Sequence, residues 1–381
     1  MRRALSALLC SALSLQGCEP LVSYPAEARS EAPIFRAARL SSAIPIGYPR
    51  SLRVMSWNIK FAAARAPFWF DCWGDRVQLG AEEVDQNLQD IYAMIREARP
   101  DILLVQELDL HSRRSGYRDM MQGILDNSSL NYGAYFSSWE SRYIPSEGLG
   151  RVAMGNAIFS RFPIEGATRI ALEERSDLDF LTSRFYLRRS LGRAELSIGE
   201  QRVSVYVLHS EAYDQDGTKQ RQLEQVFEEV QREARPFILG GDFNELPPSA
   251  LRVAQFPDER RSNVCGEDFE QPPYTPEKMR PFYEQLVPWI DLQRYGASFA
   301  EQARFYTHST LGPDEQNELG EPGDWNRTLD YLFASPETYW REGSADVLQR
   351  SGQQVGTLSW RLKGDPLRLS DHAPVFGIWV L

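Results

Sequence analysis

The stretch PFILGGDFNE, residues 236–245, runs from an apolar segment through two glycines into Asp242 and Asn244. Just upstream, Leu223, Val226, Phe227 and Val230 recur at helical spacing, so a helix is expected to lead into a buried strand. Asp242 and Asn244 are two positions apart. Alternate side chains of an extended chain share a face, so both would point the same way. A carboxylate and an amide at a strand mouth often make only a turn or a cap. The reading therefore turns on whether other strands carry such residues at the same place.

They do. Further apolar runs lie at RVMSWNI (53–59), ILLVQE (102–107), NAIFS (156–160), VSVYVLH (203–209), TLDYLFA (328–334) and APVFGIWV (373–380). Val84, Leu88, Ile91 and Ile95 mark a helix between the first two. Strand-like runs alternating with helical patterns predict a layered α/β architecture. Asn58, Glu107, His209, Asp242, Asn244, Asp330, Asp371 and His372 all fall within, at the edge of or just beyond these runs. One such residue is unremarkable, but a full set able to hold a metal or move a proton points to a site built at strand ends.

The composition, 42% hydrophobic and 25% charged over 381 residues, is that of a globular chain with one large domain or two smaller ones. A formal charge of -11 disfavours binding of polyanions through bulk electrostatics. It leaves room for a nuclease that holds its substrate briefly. The first eighteen residues, MRRALSALLCSALSLQGC, place two arginines before an apolar run and small residues at its end, which reads as a secretory signal. The run, about 12 residues, falls short of the roughly 20 that a membrane-spanning helix needs. Leu15-Gln16-Gly17-Cys18 resembles the lipobox of bacterial lipoproteins, implying an acylated Cys18 and a lipid-anchored place in the bacterial cell envelope, on the periplasmic side or at the outer membrane. Ordinary signal cleavage is the alternative. Residues 19–50, rich in Pro, Ala, Ser and Arg, read as a flexible tether, with the catalytic domain at 51–381. Export permits Cys72 and Cys265 to pair; two free thiols are the other reading. No C-x-x-C spacing suggests a structural zinc site.

The ordered motifs WNIK (57–60), DILLVQELD (101–109), GNAIFSR (155–161), VLHSEAYD (207–214), GGDFNE (240–245), TLDYLF (328–333) and SDHAPV (370–375) resemble those of the endonuclease/exonuclease/phosphatase superfamily, in its order. Deoxyribonucleases, apurinic endonucleases, sphingomyelinases and inositol-polyphosphate phosphatases belong to that superfamily. The resemblance implies a four-layered α/β/β/α sandwich of two packed mixed sheets, with the site at one edge of the sheets. It also implies hydrolysis of phosphate esters, with Mg²⁺ as cofactor and Mn²⁺ as a substitute. A hard divalent ion prefers oxygen ligands and needs only one or two carboxylates. By resemblance Glu107 is the leading ligand, with Asn58 and Asp371 beside it. Asp242 would orient or deprotonate the attacking water, and Asn244 would hold a phosphate oxygen. His372 would sit on the phosphoryl group, with Asp330 fixing its ring and favouring its charged form. His209 would donate to the phosphate or to the leaving oxygen, and the two histidines share acid-base work in either order.

Other residues carry less. His111 and His308 receive no role; His308, in FYTHST, could approach the site but reads as a loop histidine. Arg184, Arg188 and Arg189 read as solvated surface charge, with a bidentate phosphate clamp as the alternative. An aromatic insertion at 66–77 and a long segment at about 247–325 are expected to shape substrate access. Three functions follow: an exported phosphodiesterase acting on nucleic acid or a phospholipid headgroup, a small-molecule phosphatase, and a non-catalytic binding protein on the same fold. The anchor makes the membrane a partner, and no segment marks a protein partner.

Overall fold

In the computed structural model, residues 27–41, 50–69, 74–144, 148–212, 216–258 and 274–381 are described. Strands are numbered in chain order. One sheet runs β13 (Tyr339–Trp340), β15 (Val375–Val380), β3 (Ser51–Asn58), β4 (Ile102–Asp109), β6 (Gly150–Ser160), β5 (Tyr132–Ile144) and β2 (Ile34–Arg36), with β14 (Asp346–Val347) on β15. The other runs β1 (Arg29–Glu31), β7 (Ile164–Ala171), β8 (Ser190–Ile198), β9 (Gln201–His209), β10 (Phe237–Asp242), β12 (Asp330–Ala334) and β11 (Val287–Pro288). Each sheet has one parallel pair at its centre, β3 with β4 and β9 with β10. Parallel neighbours need a crossover, and helices α1 (Ala81–Ala98) and α2 (Thr218–Gln231) supply it. The remaining pairs are antiparallel, so both sheets are mixed.

Alternation along the central strands sorts the apolar side chains into three layers. Val54, Ile102 and Leu104 face the second sheet and pack with Val205, Val207, Ile238 and Leu332. Met55, Leu103 and Val105 face outward onto Leu88, Ile91 and Ile95 of α1. Tyr206, Leu208 and Leu239 likewise meet Leu223, Val226 and Val230 of α2. Burying both faces explains why these strands read as continuous apolar runs. The two glycines of PFILGG follow from the same packing. A Cβ on Gly240 would lie 2.5 Å from Leu332 Cδ2 and 2.7 Å from Leu104 Cδ1, and one on Gly241 would lie 1.9 Å from the Leu208 carbonyl. The four-layered sandwich expected from sequence is the observed fold.

The tether expectation needs correction. Residues 29–36 form β1 and β2, which pair antiparallel with β7 and β5 at an edge of each sheet. Arg29 also pairs with Glu229 of α2. Three-residue strands are too short to show a period, and they attach through backbone hydrogen bonds that any sequence can make. The signal segment with Cys18, and both Cys72 and Cys265, lie outside the described residues. Among the described residues, no helix is long and apolar enough to cross a membrane.

Glu233, just after α2, ties that helix to its sheet. Its Oε2 accepts from Arg193 Nη2 (2.6 Å), Ser204 Oγ (2.7 Å) and Tyr206 OH (3.0 Å). Burial opposes the charge, but Ser204 and Arg193 outweigh it and hold the carboxyl at about 2. A folded pKa below the unfolded one stabilises above the unfolded value, and that contribution is lost as pH falls through the folded value. Glu233→Gln should therefore weaken the protein at pH 7 and flatten the loss of stability between about pH 4.5 and pH 2. Urea denaturation of both proteins at several acidic pH values measures this.

Candidate active site

Six strands deliver the site to one edge. Asn58, His209 and Asp242 are the last residues of β3, β9 and β10, Glu107 lies near the end of β4, Asp330 opens β12, and Asp371 and His372 precede β15. The carboxyl ends of parallel strands are where α/β sheets gather functional groups, and here the antiparallel neighbours begin at the same edge. Register does the rest. Asp242 pairs with His209 on one side and with Asp330 on the other, so these three lie abreast.

Asp242 is the hub. Its Oδ2 lies 3.1 Å from Asn58 Nδ2, 3.4 Å from His209 Nε2 and 3.5 Å from His372 Nε2, while Oδ1 accepts the Asn244 amide N–H at 3.0 Å. His372 Nδ1 lies 2.8 Å from Asp330 Oδ2. Burial disfavours charge on His372, but Asp330 and then Asp242 overcome it and lift its pKa to about 10. Burial lifts Asp330 itself to about 6, against the pull of His372. At neutral pH the pair is thus imidazolium and carboxylate. His209 is the opposite case: burial, helped by Arg189 and His372, keeps it neutral. Its Nε2 faces Asp242 and, at 4.0 Å, Glu107 Oε1, so that nitrogen carries the proton. One histidine is charged and the other neutral, which suits different proton tasks.

The three residues expected to hold a metal are treated differently. Glu107 sits at φ +54 where β4 bulges, with Gln106 and Glu107 facing the single Asn156 between the pairs Val105↔Ala157 and Leu108↔Gly155. The bulge re-aims its side chain, which is 24% exposed and faces the Asn58 amide at 3.3 Å and the neutral His209. A partly exposed carboxylate beside neutral groups suits a hard divalent ion. Asn58 turns its amide nitrogen to the carboxylates. Its Oδ1 accepts from Lys60 N at 3.0 Å, so nitrogen, not oxygen, meets Glu107 and Asp242. Turning the amide over would set oxygen against two carboxylates. In this arrangement the Asn58 amide aims the two carboxylates. Asp371 is bound to Lys60 Nζ at 3.0 Å and to Ser370 Oγ at 3.2 Å. Burial opposes its charge, but Lys60, His372 and Arg65 hold its pKa down. Asp242, Asp330 and His372 do bring donor atoms within 4.8 Å of one another. A charged imidazolium donates and does not ligate, so this trio is better read as an acid-base cluster.

Lys60 was not singled out in the sequence, although it stands two residues after Asn58 in WNIK. Lys60, Phe61 and Ala62 all have positive φ (+43, +40 and +58), a strained path of the kind that gathers at functional edges. The ammonium is 8% exposed and its partner 14%. Removing one member of a buried pair costs about 3–5 kcal/mol. Lys60→Met should lose stability on that scale in urea, with chelator present, and adding Asp371→Asn in the same chain should recover most of it.

Two other expectations change. His308 does approach the site: its ring meets that of His372 edge-on at 4.6 Å, and it accepts from Arg327 Nε at 3.1 Å. Arg327 in turn forms a buried pair with Asp258 at 3.1 Å, so the long segment reaches the back of the site through Phe256 and Asp258. Arg189 is buried beside Glu211, whereas Arg184 is exposed and Arg188 pairs with Glu174. Asn244, at φ +46, donates from Nδ2 to Ser210 O at 3.2 Å. His111 is exposed, held by Tyr117 O.

Comparison with known proteins agrees with this architecture. The profile of the Endonuclease/Exonuclease/phosphatase family matches residues 55–372. Among solved structures, an endonuclease/exonuclease/phosphatase from Beutenbergia cavernae has a TM-score of 0.50 and 20% identity, covering 87% of this chain and 72% of its own. The mannosyl-6-phosphatase Bt3783 of Bacteroides thetaiotaomicron has a TM-score of 0.50 and 18% identity, covering 87% and 100%. TDP2 of D. rerio, complexed with single-strand DNA product, has a TM-score of 0.51 and 12% identity, covering 87% and 99%. No curated protein matches the chain.

Proposed function

From the premise that the chain belongs to the Endonuclease/Exonuclease/phosphatase family, we propose that it is a divalent-metal-dependent hydrolase of phosphodiesters. The observation that carries this is the charged His372, bonded to Asp330 and set 3.5 Å from Asp242 at the strand edge. A binding protein would gain nothing from a buried imidazolium aimed at a carboxylate, whereas phosphoryl transfer needs positive charge at the oxygens and a base for water.

In this reading Asp242 orients the attacking water and takes its proton, its carboxylate being fixed by Asn58 and by the Asn244 backbone. His372 donates to a phosphoryl oxygen, and Asp330 keeps it charged and turned. Asn244 offers its amide to the phosphate, and neutral His209 supplies an N–H on the neighbouring side. Glu107 would hold the metal ion, Mg²⁺ or Mn²⁺, which when bound lends charge to the phosphoryl oxygens and lowers the pKa of water. Asp371, turned toward Lys60, stands behind this set. The signal-like segment and Cys18 support a lipid-anchored site in the bacterial envelope, and a phospholipid headgroup or nucleic acid as substrate.

Assaying the purified protein with Mg²⁺ and with chelator tests the reading. Plasmid DNA, RNA, sphingomyelin, glycerophospholipids, inositol phosphates and sugar phosphates form the panel. Metal-dependent turnover of a diester is expected; turnover of monoesters alone would replace the reading with a small-molecule phosphatase, and no turnover would leave a binding protein. Cys18→Ser should move the protein from the membrane to the soluble fraction of cells, and unchanged fractionation would remove the anchor.

A further inference from the structure

A buried arginine beside the strand that ends in His209 has a guanidinium nitrogen without a hydrogen-bond partner. Arg189 immediately precedes β8, which pairs antiparallel with β9, so it lies alongside the end of the strand that terminates in His209. The residue is 6% exposed. Its Nε is buried without a partner, and its nearest charged neighbour, Glu211 Oε2, is 3.8 Å away, too far for a hydrogen bond. Glu211 is already served on its other oxygen by Tyr186 OH at 2.9 Å. A guanidinium carries five N–H donors, and leaving its Nε buried and unbonded is costly. The neighbouring charge also keeps His209 neutral.

We propose that Arg189 binds the phosphoryl oxygens of the substrate on the His209 side of the site; this rests on the phosphoester reading above. The ligand class is a phosphate ester with at least two non-bridging oxygens, the shape that a planar guanidinium meets bidentately. The arrangement divides the labour: Glu107 holds negative charge for the metal, and Arg189 supplies positive charge where no metal is needed. Glu211, set just beyond hydrogen-bond reach, keeps the guanidinium in place without occupying its donors.

The test titrates inorganic phosphate calorimetrically into the Mg²⁺-saturated full chain. Arg189→Gln should weaken phosphate binding about ten- to a hundredfold, the range for a charge-assisted pair, and raise KM more than it lowers kcat. Arg189→Lys should lie between, keeping the charge but losing the planar fork. Glu211→Gln should bind phosphate as tightly as the unaltered protein or more so, which a merely structural Arg189–Glu211 pair does not predict. Unchanged phosphate affinity in a folded Arg189→Gln protein would overturn the proposal. Should that variant not fold, Arg189→Lys decides, and an affinity equal to that of the unaltered protein overturns it. Absence of hydrolysis by the unaltered protein would instead remove the phosphoester reading, while its phosphate affinity relative to the Arg189 variants still judges Arg189.

Discussion

His372→Ala is expected to lower kcat by about 10² to 10⁴-fold, the range for a positioned acid or base. The ring is one of two imidazoles against Asp242 and the one that carries charge at neutral pH. Asp330→Asn should lose much of the same rate, because the amide keeps the shape but not the carboxylate that favours the imidazolium. The double variant should then be little worse than His372→Ala, since groups acting as a unit are not additive. Losses that multiply would mean that the two residues act separately. The pair also predicts a pH effect. Its folded pKa lies above the ordinary histidine value, so the stability it adds is complete below about pH 6.5 and is lost as pH rises through about 10. His372→Ala should therefore remove part of the alkaline loss of stability, as followed by urea denaturation between pH 7 and pH 11.

Glu107→Gln should abolish metal-dependent turnover while leaving the fold intact. The amide keeps the size of the side chain and an oxygen that can accept from Asn58, but removes the charge that a hard cation prefers. Calorimetric titration of Mg²⁺ into both proteins separates binding from chemistry. Loss of binding with unchanged urea stability is the expected result, and equal affinity would remove Glu107 from the ligands. Asn58→Asp gives a contrast: a third carboxylate against Glu107 and Asp242 should raise their repulsion in the metal-free protein and lower its stability, an effect that added Mg²⁺ should reverse.

Sequence alone determined the layers and the strand ends. Buried strands must be apolar on both faces, and crossover helices must repeat at 3.6 residues, so both leave local patterns that need no partner to be seen. The polar residues closing those strands were equally visible, because nothing else in an apolar run ends on Asp, His or Asn so regularly. What it could not set was which atom faces which. Asn58 and Asp242 meet across 184 positions, Trp57 donates to His372 O across 315, and such meetings depend on register between strands that local pattern does not encode. Hence only the folded chain turned the Asn58 nitrogen toward the carboxylates, bound Asp371 to Lys60, brought His308 under His372, and buried Arg189 next to His209. The edge strands at 29–36 were hidden for a related reason: backbone hydrogen bonds hold them, and backbone is common to every residue. Side-chain identity selects the elements, while long-range pairing decides the charges that each functional group meets.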